Sequence, residues 1–189
     1  MISYKQHTDL SEEFIIRKLN EFLEEDIPEG DKTSIGTVPK DAEIIAEIQA
    51  VENMVFSGGP IINAMFNNLA KVDKLIKDGA EVNVGNVIAK IRGNAIEILS
   101  RERVMLNLIQ RMSGIATNVQ KFTKLANPYD VWILDTRKTT PGLRQFEKYA
   151  VTCGGGRNHR FCLSDGILIK DNHLEAARGV KPAIEMIKN

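Results

Sequence analysis

Apolar positions along the chain switch between helical and extended spacing, and each switch marks an element. Ser11 precedes Glu12 and Glu13, and Phe14, Ile15, Leu19, Phe22 and Leu23 then share one face until Pro28; this predicts a capped helix with acids in its first turn. Glu25 to Thr33 is rich in Glu, Asp and Gly and reads as a solvent-facing turn. Between Ala42 and Val51, Ile44, Ala46, Ile48 and Ala50 alternate with Glu43, Glu47 and Gln49, the period of a half-buried strand. Gly58, Gly59 and Pro60 then punctuate, and Pro60 to Ala70 suits a proline-started helix with Ile61, Met65, Phe66 and Leu69 apolar. Turns at Asp78-Gly79, Gly85-Asn86 and Gly93-Asn94 delimit Glu81 to Val84, Val87 to Ile91 and Ala95 to Leu99, which predict short antiparallel strands.

The longest helical pattern is Arg101 to Ala126, where Val104, Leu108, Met112, Ile115, Val119 and Phe122 recur at helical steps. Gly114 interrupts it, as a bend or a close contact. Arg101 and Arg103 stand at the expected helix start, where the dipole favours anions, so an acid such as Glu97 or Glu102, or a ligand, is needed to answer them. Val131 to Leu134 and Gly166 to Ile169 are compact apolar runs ending in Asp135-Thr136 and Lys170-Asp171, with a helix expected over Leu143 to Val151 between them. Each run predicts a short buried strand carrying polar residues at its carboxyl end, where parallel barrels place their sites, so that Arg137, Lys138 and Lys170 face one mouth. The fold expected is an α+β N-terminal domain over residues 1–100. Residues 101–189 then form a connecting helix and the first part of an α/β barrel-like domain.

Composition narrows the function classes. The 189 residues are 43% hydrophobic, enough for a real core, and 25 basic side chains balance 25 acidic ones, so no global charge recruits nucleic acid or an anionic membrane. Any cationic site must be local. Cys153 and Cys162 lack the paired short spacings of a zinc ribbon, His159 and His173 do not supply them, and the N-terminus shows no basic region followed by an apolar run. Reduced thiols in a cytoplasmic protein are expected. No stretch approaches the roughly 18 uncharged apolar residues of a membrane span.

The local site is expected between Asp135 and Arg160, which gathers Arg137, Lys138, Arg144, Arg157, His159 and Arg160 around Pro141, Gly142 and the run Gly154 to Gly156. Guanidinium forks grip carboxylates and phosphates in pairs, and ammonium groups add point charges, so this density points to a polyanionic small molecule. The glycine run either lets backbone amides approach an anion or makes a flexible turn.

The motifs LDTRKTTPGLRQFEKYAV, CGGGRNHR and LIKDNH, together with EDIPEGDKT and RERVMLNLIQRMSGIAT upstream, resemble the quinolinate phosphoribosyltransferase family, also called nicotinate-nucleotide pyrophosphorylase (carboxylating), over about Glu25 to Glu175. The resemblance implies phosphoribosyl transfer from phosphoribosyl pyrophosphate to quinolinate with loss of carbon dioxide, giving nicotinate mononucleotide and pyrophosphate in NAD biosynthesis. It implies a dicarboxylate cradle of Arg137, His159 and Arg160, with Arg103 donated across the interface of a homodimer or higher homo-oligomer, and Lys138 and Lys170 as catalytic groups near the phosphoribosyl donor. It also implies magnesium, whose ligands the motifs do not identify. A molybdenum-transport accessory protein of the same superfamily shares the TRKTTPG-type stretch but differs where this chain has IKDNH; a ligand-binding or assembly module without catalysis is the alternative of another class. Because a βα unit takes about 30 residues, the segment after Val131 supplies about two units, so the chain is expected to end within the barrel and to be catalytically impaired alone.

Overall fold

A computed structural model describes residues 4–188. The first helix, α1 (Glu12–Asp26), begins as its sequence demands: Ser11 Oγ accepts the Phe14 amide, and Ile15 and Leu19 are buried. Acidic Glu25 to Thr33 is not only a turn. Asp31 Oδ1 accepts the amides of Thr33 and Ser34 at 3.1 and 3.0 Å and so starts a short helix, α2 (Lys32–Thr37).

Strand β1 (Glu43–Gln49) alternates in burial as expected. After a short β2 (Met54–Val55), helix α3 (Gly59–Phe66) is shorter than the pattern suggested, because Asn68 turns left-handed at φ 61°. The chain then re-enters as a strand, β3 (Ala70–Leu75), which was hidden behind the apolar helix pattern. The segment β4 (Glu81–Val82) pairs antiparallel with β2, and β5 (Val87–Asn94) is the centre of a three-stranded antiparallel sheet ordered β1-β5-β3.

The expected strand Ala95 to Leu99 is helical. Asn94 Oδ1 accepts the amides of Ile96 and Glu97 at 3.0 and 3.3 Å, and Ala95 and Ile98 are buried at a three-residue step. Gly93 is no hairpin turn either. It lies opposite Ala70 in the sheet, where a side-chain carbon would come within 2.8 Å of the alanine Cβ. The helix that follows, α4 (Ala95–Ala126), therefore starts well before Arg101, and Arg101 and Arg103 lie inside it. Arg101 pairs with Glu97, one turn earlier. Gly114 lies inside the unbroken span of α4 and makes no close contact, since a side chain there would meet open space.

Helix α5 (Arg144–Cys153) packs on α4, and shorter helices α6 (Asp171–Ala176) and α7 (Val180–Lys188) follow. The core is continuous from α1 through α3, β5 and α4 to Phe146, Tyr149 and Ala150 of α5. The two expected buried strands of the C-terminal part are corrected. Residues 131–134 are extended but make a single parallel bridge, Leu134 with Arg157, and Trp132 and Leu134 are about half exposed at 47% and 49%. Ile167 and Leu168 are exposed as well, in a segment that joins no strand. Both runs are apolar, as buried strands are, but among the described residues no neighbouring strands cover their faces.

Candidate active site

The parallel bridge puts the carboxyl end of segment 131–137 beside segment 157–160. The Asp135 amide donates to the Arg157 carbonyl at 3.0 Å, and the Arg157 amide donates to Ile133 at 2.9 Å. At the junction lies an ion pair that the motifs did not announce. Lys148 Nζ, on α5, is 2.6 Å from Asp135 Oδ1, with side-chain exposures of 0% and 7%. Asp135 Oδ1 also accepts the His159 amide at 2.8 Å, and Asn158 Nδ2 donates to Asp135 Oδ2 at 2.7 Å.

The loop that carries Lys138 to Gly142 is braced from two helices. Glu147 of α5 accepts the Thr140 amide and the Arg111 guanidinium, with Arg111 Nε 2.8 Å from Oε1, and a terminal nitrogen of Arg111 donates to Thr140 Oγ1. Arg144 Nε donates to Thr139 Oγ1 at 3.0 Å while a terminal nitrogen holds the Phe161 carbonyl at 3.1 Å. The cation cluster therefore separates by task. Arg144 is a brace, and Arg157 lies over the Trp132 ring at 3.4 Å. Among the described residues Arg137 makes no contact of this kind: its Nε is shut off from solvent and has no hydrogen-bond partner there. Arg160 is 5% exposed and donates to the Gly166 carbonyl at 2.6 Å, which ties segment 157–160 to the run leading into Lys170.

The glycine run does not offer its amides to an anion. Gly154 donates to Ala150, Gly155 to Thr152 and Gly156 to Val151, closing the end of α5. A larger opening lies elsewhere. A groove of about 770 Å³ runs between β1 and α4, lined by Ile48, Ile98, Met105 and Ile109 with Glu47, Glu52 and Glu102 against one Lys121; its acidic excess suits no dicarboxylate. A cavity of about 360 Å³ reaches Arg160 itself and extends along Leu168 to His173.

Residues 31–113 match the model of the quinolinate phosphoribosyl transferase N-terminal domain, and residues 115–189 match that of its C-terminal domain. The fold is similar to a solved nicotinate-nucleotide pyrophosphorylase from Francisella tularensis, with a TM-score of 0.91 and 38% identity, covering 98% of this chain and 67% of that one. The chain belongs to the quinolinate phosphoribosyltransferase family. A Bacillus subtilis relative named "Probable nicotinate-nucleotide pyrophosphorylase (carboxylating)" is 47% identical over 171 residues, and a chloroplastic nicotinate-nucleotide pyrophosphorylase (carboxylating) of Arabidopsis thaliana is 44% identical over 161. These alignments take in 87% and 84% of this chain; the chain spans 58% and 46% of the two relatives' lengths.

In the frame of the quinolinate phosphoribosyltransferase family, the structure brings Arg137, His159 and Arg160 onto adjacent segments. The exposed Lys138 and Lys170 stand at the ends of the two apolar runs, and the Lys170 amide donates to His173 Nδ1 at 3.0 Å. Arg103 is not brought in. It is exposed on α4 and makes no hydrogen bond or ion pair among the described residues. Sequence reasoning missed Lys148 and Asn158, and it missed the N-terminal segment that clasps Asn158. Gln6 exchanges hydrogen bonds with Asn158 in both directions, at 3.1 and 2.8 Å, and the Tyr4 ring lies 4.6 Å from that of His159.

No helix among the described residues is long and apolar enough to cross a membrane.

Proposed function

We propose that this chain carries the quinolinate-binding part of a phosphoribosyltransferase that transfers the phosphoribosyl group of phosphoribosyl pyrophosphate to quinolinate with decarboxylation. The observation that carries this reading is Arg137 Nε, which is buried with no hydrogen-bond partner among the described residues. A buried donor without a partner costs about 1–3 kcal/mol, so a side chain held in that state by a braced loop is suited to an acceptor that arrives with the ligand. Quinolinate brings two adjacent carboxylates, and Arg137 and Arg160 supply two forks on neighbouring segments, with His159 next to Arg160 in the chain. Lys138 and Lys170, both exposed, are proposed as the catalytic groups toward the phosphoribosyl donor. Preorganised positive charge there opposes the charge of the departing pyrophosphate.

The reading includes a homodimer or higher homo-oligomer in a reducing, cytoplasmic setting, supported by the free thiols of Cys153 and Cys162 and by an exposed Arg103 available to a second copy. A magnesium site does not follow from these residues. Among those described no three His, Cys, Asp or Glu side chains gather, and both Asp135 oxygens are already engaged by Lys148, Asn158 and His159.

Calorimetry with quinolinate tests the cradle. Arg160→Lys keeps the charge and loses the fork, so binding should weaken by about 1–3 kcal/mol, and Arg103→Ala should weaken it without lowering the unfolding midpoint. Equal affinities in all three proteins would remove the dicarboxylate reading. Pyrophosphate release, followed with phosphoribosyl pyrophosphate present, tests the transfer itself.

A further inference from the structure

We propose that Lys148 is a positioning residue of the anion cradle, acting through its buried pair with Asp135; this rests on the dicarboxylate reading above. Lys148 has no exposed surface and so meets no ligand directly. Its ammonium instead donates to Asp135 Oδ1 at 2.6 Å and to the His159 carbonyl at 2.9 Å. The same Asp135 oxygen accepts the His159 amide at 2.8 Å. The backbone of His159 is therefore gripped at both its polar atoms, the amide by the carboxylate and the carbonyl by the ammonium. Asn158 closes the ring, because its Nδ2 donates both to Asp135 Oδ2 at 2.7 Å and to the Lys148 carbonyl at 2.9 Å.

The consequence lies in what flanks the ring. Arg137 follows Asp135 by two residues and Arg160 follows His159, so one buried pair sets the spacing between the two segments that carry the cradle's guanidiniums. Stability alone does not account for it. Taking two charges out of water offsets most of their attraction, and an apolar pair of similar volume commonly folds as well. An apolar pair lacks direction, however. An ammonium with three donors and a carboxylate with four acceptor positions permit one arrangement of the backbone groups they hold, and a methionine against an asparagine permits several. Sub-ångström placement is what a two-carboxylate ligand requires, since both forks must engage together.

The test replaces both charges at once, Asp135→Asn with Lys148→Met, so that no buried charge is left unpaired. The quinolinate dissociation constant should rise by about 10- to 100-fold, the scale on which a misplaced binding group is felt. Leu19→Ala, which empties a buried position in α1, serves as the control: it should lower the melting temperature yet leave that constant unchanged. Native affinity in the double variant, or an equal loss in Leu19→Ala, overturns the positioning role. A readout without ligand runs alongside. Amide hydrogen exchange at His159 and Arg160 should accelerate in the double variant, and unchanged protection overturns the inference even where the unaltered chain takes up no quinolinate, a result that would fall on the dicarboxylate reading alone. Should the double variant not fold, Asn158→Ala removes the third member of the ring without touching either charge. It should weaken quinolinate binding in the same direction, and unaltered binding there overturns the proposal.

Discussion

Gly154 has no room for a side chain. A Cβ placed on it would come within 2.8 Å of Val119 Cβ and closer still to the Ala116 carbonyl oxygen, so α5 ends in direct backbone contact with α4. Gly155 adopts φ 82°, the left-handed region that favours glycine. Gly154→Ala should therefore cost about 1–3 kcal/mol in urea denaturation, the usual penalty for overpacking. Loss of quinolinate affinity at unchanged stability would instead restore the run to anion binding. Residue identity made the cation cluster legible without dividing it. A guanidinium suits a carboxylate, a carbonyl or an indole face equally, and only the fold sends Arg144 to Thr139 and Arg157 to Trp132 while leaving Arg137 Nε without a partner among the described residues. Lys148 was illegible for the opposite reason. A lysine in an amphipathic helix reads as solvated because lysines are almost never buried unpaired, and its partner lies thirteen residues away on another segment.

Elements were legible wherever one period ruled one face, as in α1, β1 and most of α4. They were lost where a period changed without strong punctuation, so β3 vanished behind α3 and the first turn of α4 passed for a strand. Long-range caps left no local trace. Asp78 is the plainest: its carboxylate accepts the amides of Gly58 and Gly59 at 2.9 and 2.8 Å, at the start of α3, and the Tyr149 hydroxyl of α5 at 2.7 Å. Burial, and then the neighbouring Asp78, push the Tyr149 phenol well above its ordinary value, which keeps it protonated as a donor. One carboxylate thus caps a helix of the sheet-bearing part and fastens it to the helix that carries Lys148. Asp78→Ala should cost about 1–2 kcal/mol as a lost cap, and Tyr149→Phe about 1 kcal/mol as a lost hydrogen bond. In a double-mutant cycle the two losses should sum to more than the pair of changes made together, and strict additivity would mean that the link contributes nothing.

Across the whole molecule, the N-terminal segment returns to the cradle from the far end of the sequence. The His7 amide donates to Asn158 Oδ1 at 2.7 Å, its carbonyl accepts Thr152 Oγ1 at 3.0 Å, and its ring lies 4.9 Å from Phe161. The imidazole Nε2 is buried with no hydrogen-bond partner among the described residues. Burial, followed by the charges of Lys148 and Lys5, lowers its pKa from the ordinary 6.5, with Asp135 and Asp165 opposing. The unfolded chain takes up the proton first as pH falls, so the clasp contributes its full stability above about pH 6.5 and loses it as pH drops through the lower folded value. His7→Leu removes this titration while keeping an apolar body against Phe161. The stability advantage of the unaltered chain over His7→Leu should therefore shrink between pH 7 and pH 5 in matched urea titrations, and an advantage that stays flat or grows on acidification would show that His7 does not bind its proton more weakly when folded. Because the clasp holds Asn158, and Asn158 holds Asp135, acid loosening should reach the ligand too, with quinolinate affinity falling over the same pH range in the unaltered chain more than in His7→Leu.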